Sequence, residues 1–463
     1  MLTNKNIGKK IFLLIKELSL IRRTLACAGN RKTLKKIKSL IPILKIIKFK
    51  TNKKVFDWKI PYEWEVKRAY IKYNNKKIIN YKNNPLHLVG YSKSIRKSFK
   101  YNELINYLHT KPNLPNAIPY VTSYYKKNWG FCIAHNQLNK LKKNEKKYEV
   151  LIDSTFKKGT LDVGEIYIPG KIKKEIVLST NICHPNMINN ELCGPSILTY
   201  IAKYFLKKRN KMNLSIRIAF FPETIGSIAY INKKIDELKN NFYAGYHITC
   251  FGDKGPFSLV TSKYDNSISD IAAKKLLKNK KNKRIYSFKN CGSDERQYNY
   301  PGVNLPVTTL TRSLFGKYKQ YHTSLDSFNI ISTKSLADSF NFLKKIINEI
   351  NADIKVNDKV LNTKYLSNIE EFQKKYKKKI KKDFTIKSLT ICEPFLTKRK
   401  LFRTTSKNTL DTNEQNMFNL LYYGDNLKLS TISNYLKQPM NKLYKIAKNL
   451  EKHKLIKIKP VIF

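Results

Sequence analysis

The sequence predicts an α/β protein: a mostly parallel sheet flanked by helices, an inserted mainly-β domain and a C-terminal winged helix-turn-helix. Three observations predict it. Apolar runs at 176–180, 215–221, 246–250 and 305–310 alternate with helical patterns at 196–208, 268–278 and 333–350, the order that gives parallel strands joined by crossover helices. Residues 52–146 instead alternate aromatic and β-branched residues with polar ones. The end of the chain reads as three helices and a ribbon.

Taken in order, residues 6–47 read as two helices. Ile11, Leu14, Ile15 and Leu18, then Leu34, Ile37, Leu40, Ile41 and Leu44, recur at helical spacing. Ala28-Gly29-Asn30 separates them, and Pro42 kinks or ends the second. In the β module, Val66 to Tyr73 mixes aromatic and β-branched residues with polar ones, and Asn74-Asn75 and Asn83-Asn84-Pro85 supply turns. Its end is dense in aromatics, either a packed core or a wall over a substrate pocket. Residues 356–408 are charged and irregular, with Lys374 to Lys379 a solvated face. Helices are expected at 413–423, 429–436 and 440–453, and a strand at 455–458. The expected division is 1–51 (helices of the α/β body), 52–146 (inserted β domain), 147–408 (α/β domain) and 409–463 (winged helix).

Composition bounds the function. The 463 residues are 41% hydrophobic and 12% aromatic, enough for a sizeable core, so global disorder is excluded. The net charge of +58 is mostly lysine, accompanied by abundant Asn, Ile, Tyr and Phe. All have A/T-rich codons and the lysines are not clustered, so the excess reads as genome composition before a nucleic-acid footprint. No apolar run approaches the roughly 20 residues that span a bilayer. The run from Ile11 to Ile15, broken by Lys16 and Glu17, is not expected to be a secretory signal. Seven scattered cysteines without a CxxC pair read as reduced thiols, which points to the cytoplasm.

Three segments place polar groups at the ends of apolar strands. Ile176 to Cys183 runs into His184-Pro185, and a short turn later comes Asn189-Asn190-Glu191. A histidine closing a strand and facing a carboxylate suits a divalent metal. Ile216 to Phe221 delivers Pro222-Glu223, with Gly226-Ser227 opening a helix. A hydrolase needs such a carboxylate to hold a metal or to accept a proton from water; a glutamate favoured by the helix dipole is the plain alternative. Gly292-Ser293-Asp294-Glu295-Arg296-Gln297 and then Tyr321-His322-Thr323-Ser324-Leu325-Asp326 form the third, either a site or a solvated turn.

These residues resemble the bacterial aminopeptidase-like family associated with polysaccharide biosynthesis, which carries an inserted β domain and a winged-helix tail. The ordered matches also include Val55-Phe56-Asp57-Trp58, Ile118-Pro119-Tyr120-Val121-Thr122-Ser123-Tyr124-Tyr125 and Trp129-Gly130-Phe131-Cys132. The family is more distantly similar to the co-catalytic zinc aminopeptidases. That resemblance implies His184 and His322 as metal-ligand histidines and puts Glu223 on an acidic pair that supplies a general base and a ligand. Asn190 falls where a carboxylate would bridge two zinc ions, and Thr249 falls near a metal aspartate, with Asp253 close by. With these carboxylates missing, the resemblance implies one Zn²⁺, held by His184, Glu223 or Glu191, and His322. Glu223 and Asp294 are the candidate catalytic residues; Asn190, Arg296 and Tyr321 are candidate substrate-binding residues. Cys183 and Cys193 flank the site, as small buried residues or as a Cys–His nucleophile.

The expected function is a metal-dependent aminopeptidase-like hydrolase acting on a peptide or amide bond, in surface polysaccharide metabolism. The alternative is an inactive peptidase-like sensing protein with the winged helix as its output. Lys428, Lys437, Lys442, Lys445 and Lys448 give that module a basic surface without a base-reading arginine, so protein docking competes with nucleic acid as its partner. Homo-oligomerisation is left open.

Overall fold

The computed structural model describes residues 4–143, 146–354, 369–378, 380, 382–403 and 410–461. Its centre is an eight-stranded sheet of β1 (Lys45–Lys50), β2 (Thr160–Ile168), β3 (Ile172–Asn181), β4 (Leu214–Phe221), β5 (Phe242–Ile248), β6 (Ser258–Val260), β7 (Arg284–Tyr286) and β8 (Val307–Thr311). The spatial order is β1-β2-β4-β3-β5-β8-β6-β7. The middle four strands, β4-β3-β5-β8, are parallel; β2 and β6 join them antiparallel, β1 pairs antiparallel with β2, and β7 pairs parallel with β6.

Alternation along β3 and β4 explains the layers. Ile176 and Leu178, with Ile216, Ile218 and Phe220, face a core shared with α1 (Asn4–Ser19), α2 (Ala28–Leu40), α3 (Cys193–Leu206), α5 (Ile268–Lys278) and α6 (Thr333–Asp353). Val177, Ala219 and Phe221 face the opposite core, shared with α4 (Ile225–Asn241) and the β module. Helix α1 approaches the start of α6 so closely at Gly8 that a Cβ there would lie 2.0 Å from the Thr333 carbonyl oxygen. Register puts Asn181 of β3 opposite Phe221 of β4, so both strands release their next residues at one edge. The chain goes from β3 to β4 on one side and then returns past β3 to β5. This is the strand-order reversal at whose carboxyl edge ligands bind in open α/β sheets.

Three elements lie where the sequence reading did not put them. Pro42 ends the second helix outright, and Lys45–Lys50 pairs antiparallel with β2 at the sheet edge instead of finishing a helix. The strand Tyr148–Lys157, read as part of the 147–408 body, is a central strand of the small sheet, between Glu63–Tyr73 and Ile95–Phe99. Asp383–Ser388, also assigned to that body, is the middle strand of the winged-helix sheet, between Asp425–Lys428 and Ile456–Val461. The expected boundary at 408/409 and Lys379 lie outside the described residues.

The winged helix has α7 (Thr412–Tyr422), α8 (Leu429–Leu436) and α9 (Met440–Lys452). Its core is not its own: Tyr264, Phe288 and Tyr300 of the α/β body pack into one cluster with Leu420, Leu421 and Tyr422. Deleting 411–463 therefore strips both neighbours from Asp383–Ser388 and exposes those rings, at about 2 kcal/mol for each large side chain uncovered. Thermal unfolding of the truncated chain should show a clearly lowered midpoint; an unchanged midpoint would mean the interface carries no stability.

Candidate active site

The site forms at the carboxyl ends of β3 and β4. After β3 the chain makes a wide π-helical turn, Ile188–Leu192, which runs into α3. That turn lets Glu191 reach back to His184: Oε1 accepts the His184 backbone N–H at 2.9 Å and Oε2 sits 2.7 Å from Nδ1. With Nδ1 committed, Nε2 of His184 points to Oε2 of Glu223 at 3.5 Å. Asp326 anchors the turn, accepting the backbone N–H groups of Asn189 at 2.6 Å and Asn190 at 3.0 Å. Burial opposes charge on the imidazole of His184, but Glu191 and then Cys183 raise its pKa well above the ordinary value.

Glu223 sits on a strained elbow. Thr224 has φ 64° and ψ −76°, and the Ile225 N–H donates to the Glu223 carbonyl at 2.8 Å, a γ-turn of the rarer hand. A β-branched residue there costs on the order of 1–3 kcal/mol, so neighbours must hold it. Asp294 Oδ1 accepts the Thr224 N–H at 2.9 Å and also the Ser227 hydroxyl. Arg296 Nη2 donates to Thr224 Oγ1 at 2.8 Å. Burial raises the pKa of Glu223, while His184 and Arg296 pull it back. Burial, reinforced by the charge of Glu223, pushes Asp294 up to about 8.

His322 arrives from the loop before α6 and is fixed by the β module. Its carbonyl accepts the Tyr120 N–H at 2.9 Å, and Ser324 Oγ accepts the Ile118 N–H at 3.0 Å. The rings of His184 and His322 are 5.1 Å apart, with Tyr120 at 5.1 and 5.2 Å from them. Tyr321 stacks on His322 at 3.9 Å. Burial and His184 hold the His322 pKa well below the ordinary value, so the ring is neutral. Among the described residues, His322 Nε2, Asn190 Oδ1 and Asp294 Oδ2 are buried side-chain atoms without a hydrogen-bond partner.

These features fit a divalent cation. Two imidazoles on one tetrahedral ion, with bonds of about 2.1 Å, place their ring centres about 5 Å apart. A neutral imidazole with a free buried nitrogen is the form that ligates. Among the described residues, the group whose ligand atoms lie within 4.8 Å of one another is Cys183, His184 and Glu191. That group is already closed by hydrogen bonds, and burial, followed by Glu191, pushes the Cys183 thiol to about 12, which disfavours a thiolate nucleophile. Asp253 is taken up elsewhere, accepting from the Asn189 amide at 2.7 Å and the Ser313 hydroxyl at 3.1 Å.

A cavity of about 600 Å³ opens onto Cys183, Glu223 and Arg296, and the aromatic segment of the β module, at Tyr120, Tyr124 and Tyr125, forms one of its walls. The fold thus brings His184, Glu191, Glu223, His322 and Tyr321 together, with Asp294 and Arg296 joined through Thr224. Asn190 is tied in through its backbone. Sequence reasoning missed Tyr120, Thr224, Glu393 and His247. Aromatic density flagged the Tyr120 segment, but nothing local marked Glu393, whose carboxylate meets Arg296 Nε at 3.1 Å. His247 lies within β5, between the hydroxyls of Ser179 at 3.0 Å and Ser293 at 2.9 Å, and burial lowers its pKa to about 3.

Residues 12–353 match the family described as "Domain of unknown function (DUF4910)". The chain belongs to this family. A Clostridium acetobutylicum relative called "Putative polysaccharide biosynthesis protein with aminopeptidase-like domain" is 42% identical over 343 residues, 73% of this chain and 77% of the relative. A crystal structure from the same organism, titled as that of a putative peptidase, is 35% identical with a TM-score of 0.72, covering 98% of this chain and 97% of that one. A Bacillus subtilis zinc aminopeptidase shares the fold, with a TM-score of 0.53 at 13% identity over 76% of this chain and 97% of its own. Residues 385–458 match a winged helix-turn-helix family, in agreement with the placement of Asp383–Ser388. The family resemblance, the α/β class with its additional β sheet, and the winged helix read from the sequence all hold. Among the described residues, no helix is long and apolar enough to cross a membrane.

The pKa of Asp294 gives a test. The ordinary value is 3.8 and the folded value about 8. The folded state therefore binds the proton more tightly, and stability falls as pH rises between those values, then levels off. Asn in its place keeps an Oδ1 acceptor and has no charge to bury. The melting midpoint of Asp294→Asn relative to the parent should rise from pH 5 to pH 8 and stay constant above it. A gap independent of pH would show that Asp294 ionises normally.

Proposed function

We propose that the chain is a metal-dependent hydrolase of the aminopeptidase type that cleaves a peptide or amide bond and works with one divalent ion, zinc. The observation that carries this reading is the meeting of His184 Nε2 and Glu223 Oε2 at 3.5 Å, beside a neutral His322 whose Nε2 has no partner. His184, His322 and Glu223 would hold the ion. Glu191, a ligand candidate from sequence, has both oxygens engaged by His184 and acts here by orienting that imidazole. When bound, the ion polarises an amide carbonyl and lowers the pKa of water.

The chain's own groups supply the rest. Glu223, its pKa raised, takes a proton at its carboxylate and returns it to the departing amine. Asp294 supports this by holding the Thr224 N–H. Arg296, with Tyr321 and Asn190, positions the substrate. The name of the curated relative favours an amide within a glycan precursor. The free cysteines favour a cytoplasmic setting. We assign the division into α/β body, inserted β domain and winged helix a matching division of labour: the body holds the reactive groups and the other two wall the cavity.

One observation favours a second reading. Asn190, a neutral amide, leaves the site with few carboxylates, and the cavity reaches Phe418 and Tyr422 of the winged helix. A sensing protein that binds the same ligand without turnover would share that geometry, with the winged helix contacting protein or nucleic acid as its output.

Elemental analysis of the purified chain should find close to one zinc. His184→Ala and His322→Ala should each weaken zinc binding by more than about 100-fold, and Glu191→Gln by about 10- to 100-fold. Glu223→Gln that keeps metal and loses turnover marks Glu223 as the base; parallel loss of metal marks it as a ligand. If both histidine variants, correctly folded, keep full zinc affinity, the site is misplaced and the sensing reading replaces the hydrolase.

A further inference from the structure

The strained elbow at Thr224 is tied to a residue the reaction chemistry does not use. Arg296, which donates to Thr224 Oγ1, is gripped on its other side by Glu393, whose Oε2 lies 3.1 Å from Nε. Glu393 lies inside the winged-helix module, between the strand Asp383–Ser388 and α7, and it is buried. Three regions of the chain fix it. The Tyr422 hydroxyl of α7 donates to Oε2 at 2.8 Å. Gln297 Oε1 accepts the Glu393 N–H at 3.2 Å. Trp58 Nε1, from the β module, donates to the Glu393 carbonyl at 2.7 Å. Two residues on, Asp57 accepts the Phe395 N–H at 2.7 Å, and Arg399 holds Asp57 from the far side. A carboxylate that served only the winged helix would not reach out of that module to a buried arginine of the α/β body.

We propose that Glu393 is a positioning residue for Glu223: it aims Arg296 at Thr224, Tyr422 aims Glu393, and the winged helix is thereby a working part of the site. The proposal rests on Glu223 being the acting carboxylate of the hydrolase reading. The path runs Tyr422, Glu393, Arg296, Thr224, Glu223; the first three links are hydrogen bonds or ion pairs between named atoms, and the last is the backbone that joins Thr224 to Glu223. Cutting it removes the hold on Thr224 Oγ1 and leaves the γ-turn to relax, which moves the Glu223 carboxylate relative to His184.

Hydrogen–deuterium exchange on the full, metal-free chain tests this without requiring activity or zinc, so a failure of the hydrolase reading leaves the result readable. In Glu393→Gln, amides in 222–228 should exchange about tenfold faster, with Tyr422→Phe changing the same peptide in the same direction by less. Should Glu393→Gln not fold, Tyr422→Phe alone carries the test. Thr224→Ala removes the oxygen that Arg296 holds. In that background Glu393→Gln should have no further effect on 222–228, because both changes break one path. Unchanged exchange in Glu393→Gln and Tyr422→Phe, or effects that simply add to Thr224→Ala, would overturn the proposal.

Discussion

The site depends on a single hydrogen bond, Nδ1 of His184 to Glu191 at 2.7 Å. It fixes the orientation of the ring and turns Nε2 toward Glu223, so it decides whether His184 can meet Glu223 at all. The π-helical turn exists to bring Glu191 back by that distance. Asp326 holds the turn by two backbone N–H groups, and Arg23 caps the His184 carbonyl at 3.3 Å. Without Glu191 the imidazole is free to turn, and the remaining groups have no common focus.

The charge of the chain reads differently once its partners are known. Two arginines gather internal carboxylates: Arg217, fully buried in β4, meets Glu165, Glu175 and Glu237, and the half-buried Arg31 meets Glu63 and Asp162. Arginine's planar fork suits such fixed pairs better than an ammonium does. Many acidic residues are thus consumed in internal pairs, and the lysines are left to cover the surface. That division fits a lysine excess set by genome composition.

Legibility followed the range of the forces involved. His184 and Glu223 could be singled out because each follows an apolar run, and run endings are local; His322 stood out as a histidine in a polar loop before a long helix. The parallel strands were legible for the same reason: Ile176 to Thr180 and Ile216 to Phe221 are buried on both faces and read as mainly apolar stretches, interrupted by Ser179-Thr180 and Arg217. Lys45–Lys50 was not, because an edge strand with alternating lysines looks like the tail of the helix before it. Nor was Thr160–Ile168, whose Asp162 and Glu165 are buried only because Arg31 and Arg217 come from distant segments. Tyr148–Lys157 alternates well but gives no sign of which sheet it joins. Glu393 is the extreme case, since its meaning comes entirely from Arg296, Gln297, Tyr422 and Trp58, none of them near it in the chain.

The packing of α1 on α6, tight enough at Gly8 to exclude a methyl group, bears on how this chain is made. During synthesis helix α1 emerges with an apolar face, Ile7, Ile11, Leu14 and Leu18, that finds part of its cover in α3 and the rest only when residues 333–353 have left the ribosome. The winged-helix sheet closes later still, since Asp383–Ser388 must wait for Ile456–Val461. A nascent chain of this protein therefore carries a partly uncovered helix until residues 333–353 emerge, and its cavity acquires its last wall only once Phe418 and Tyr422 have followed.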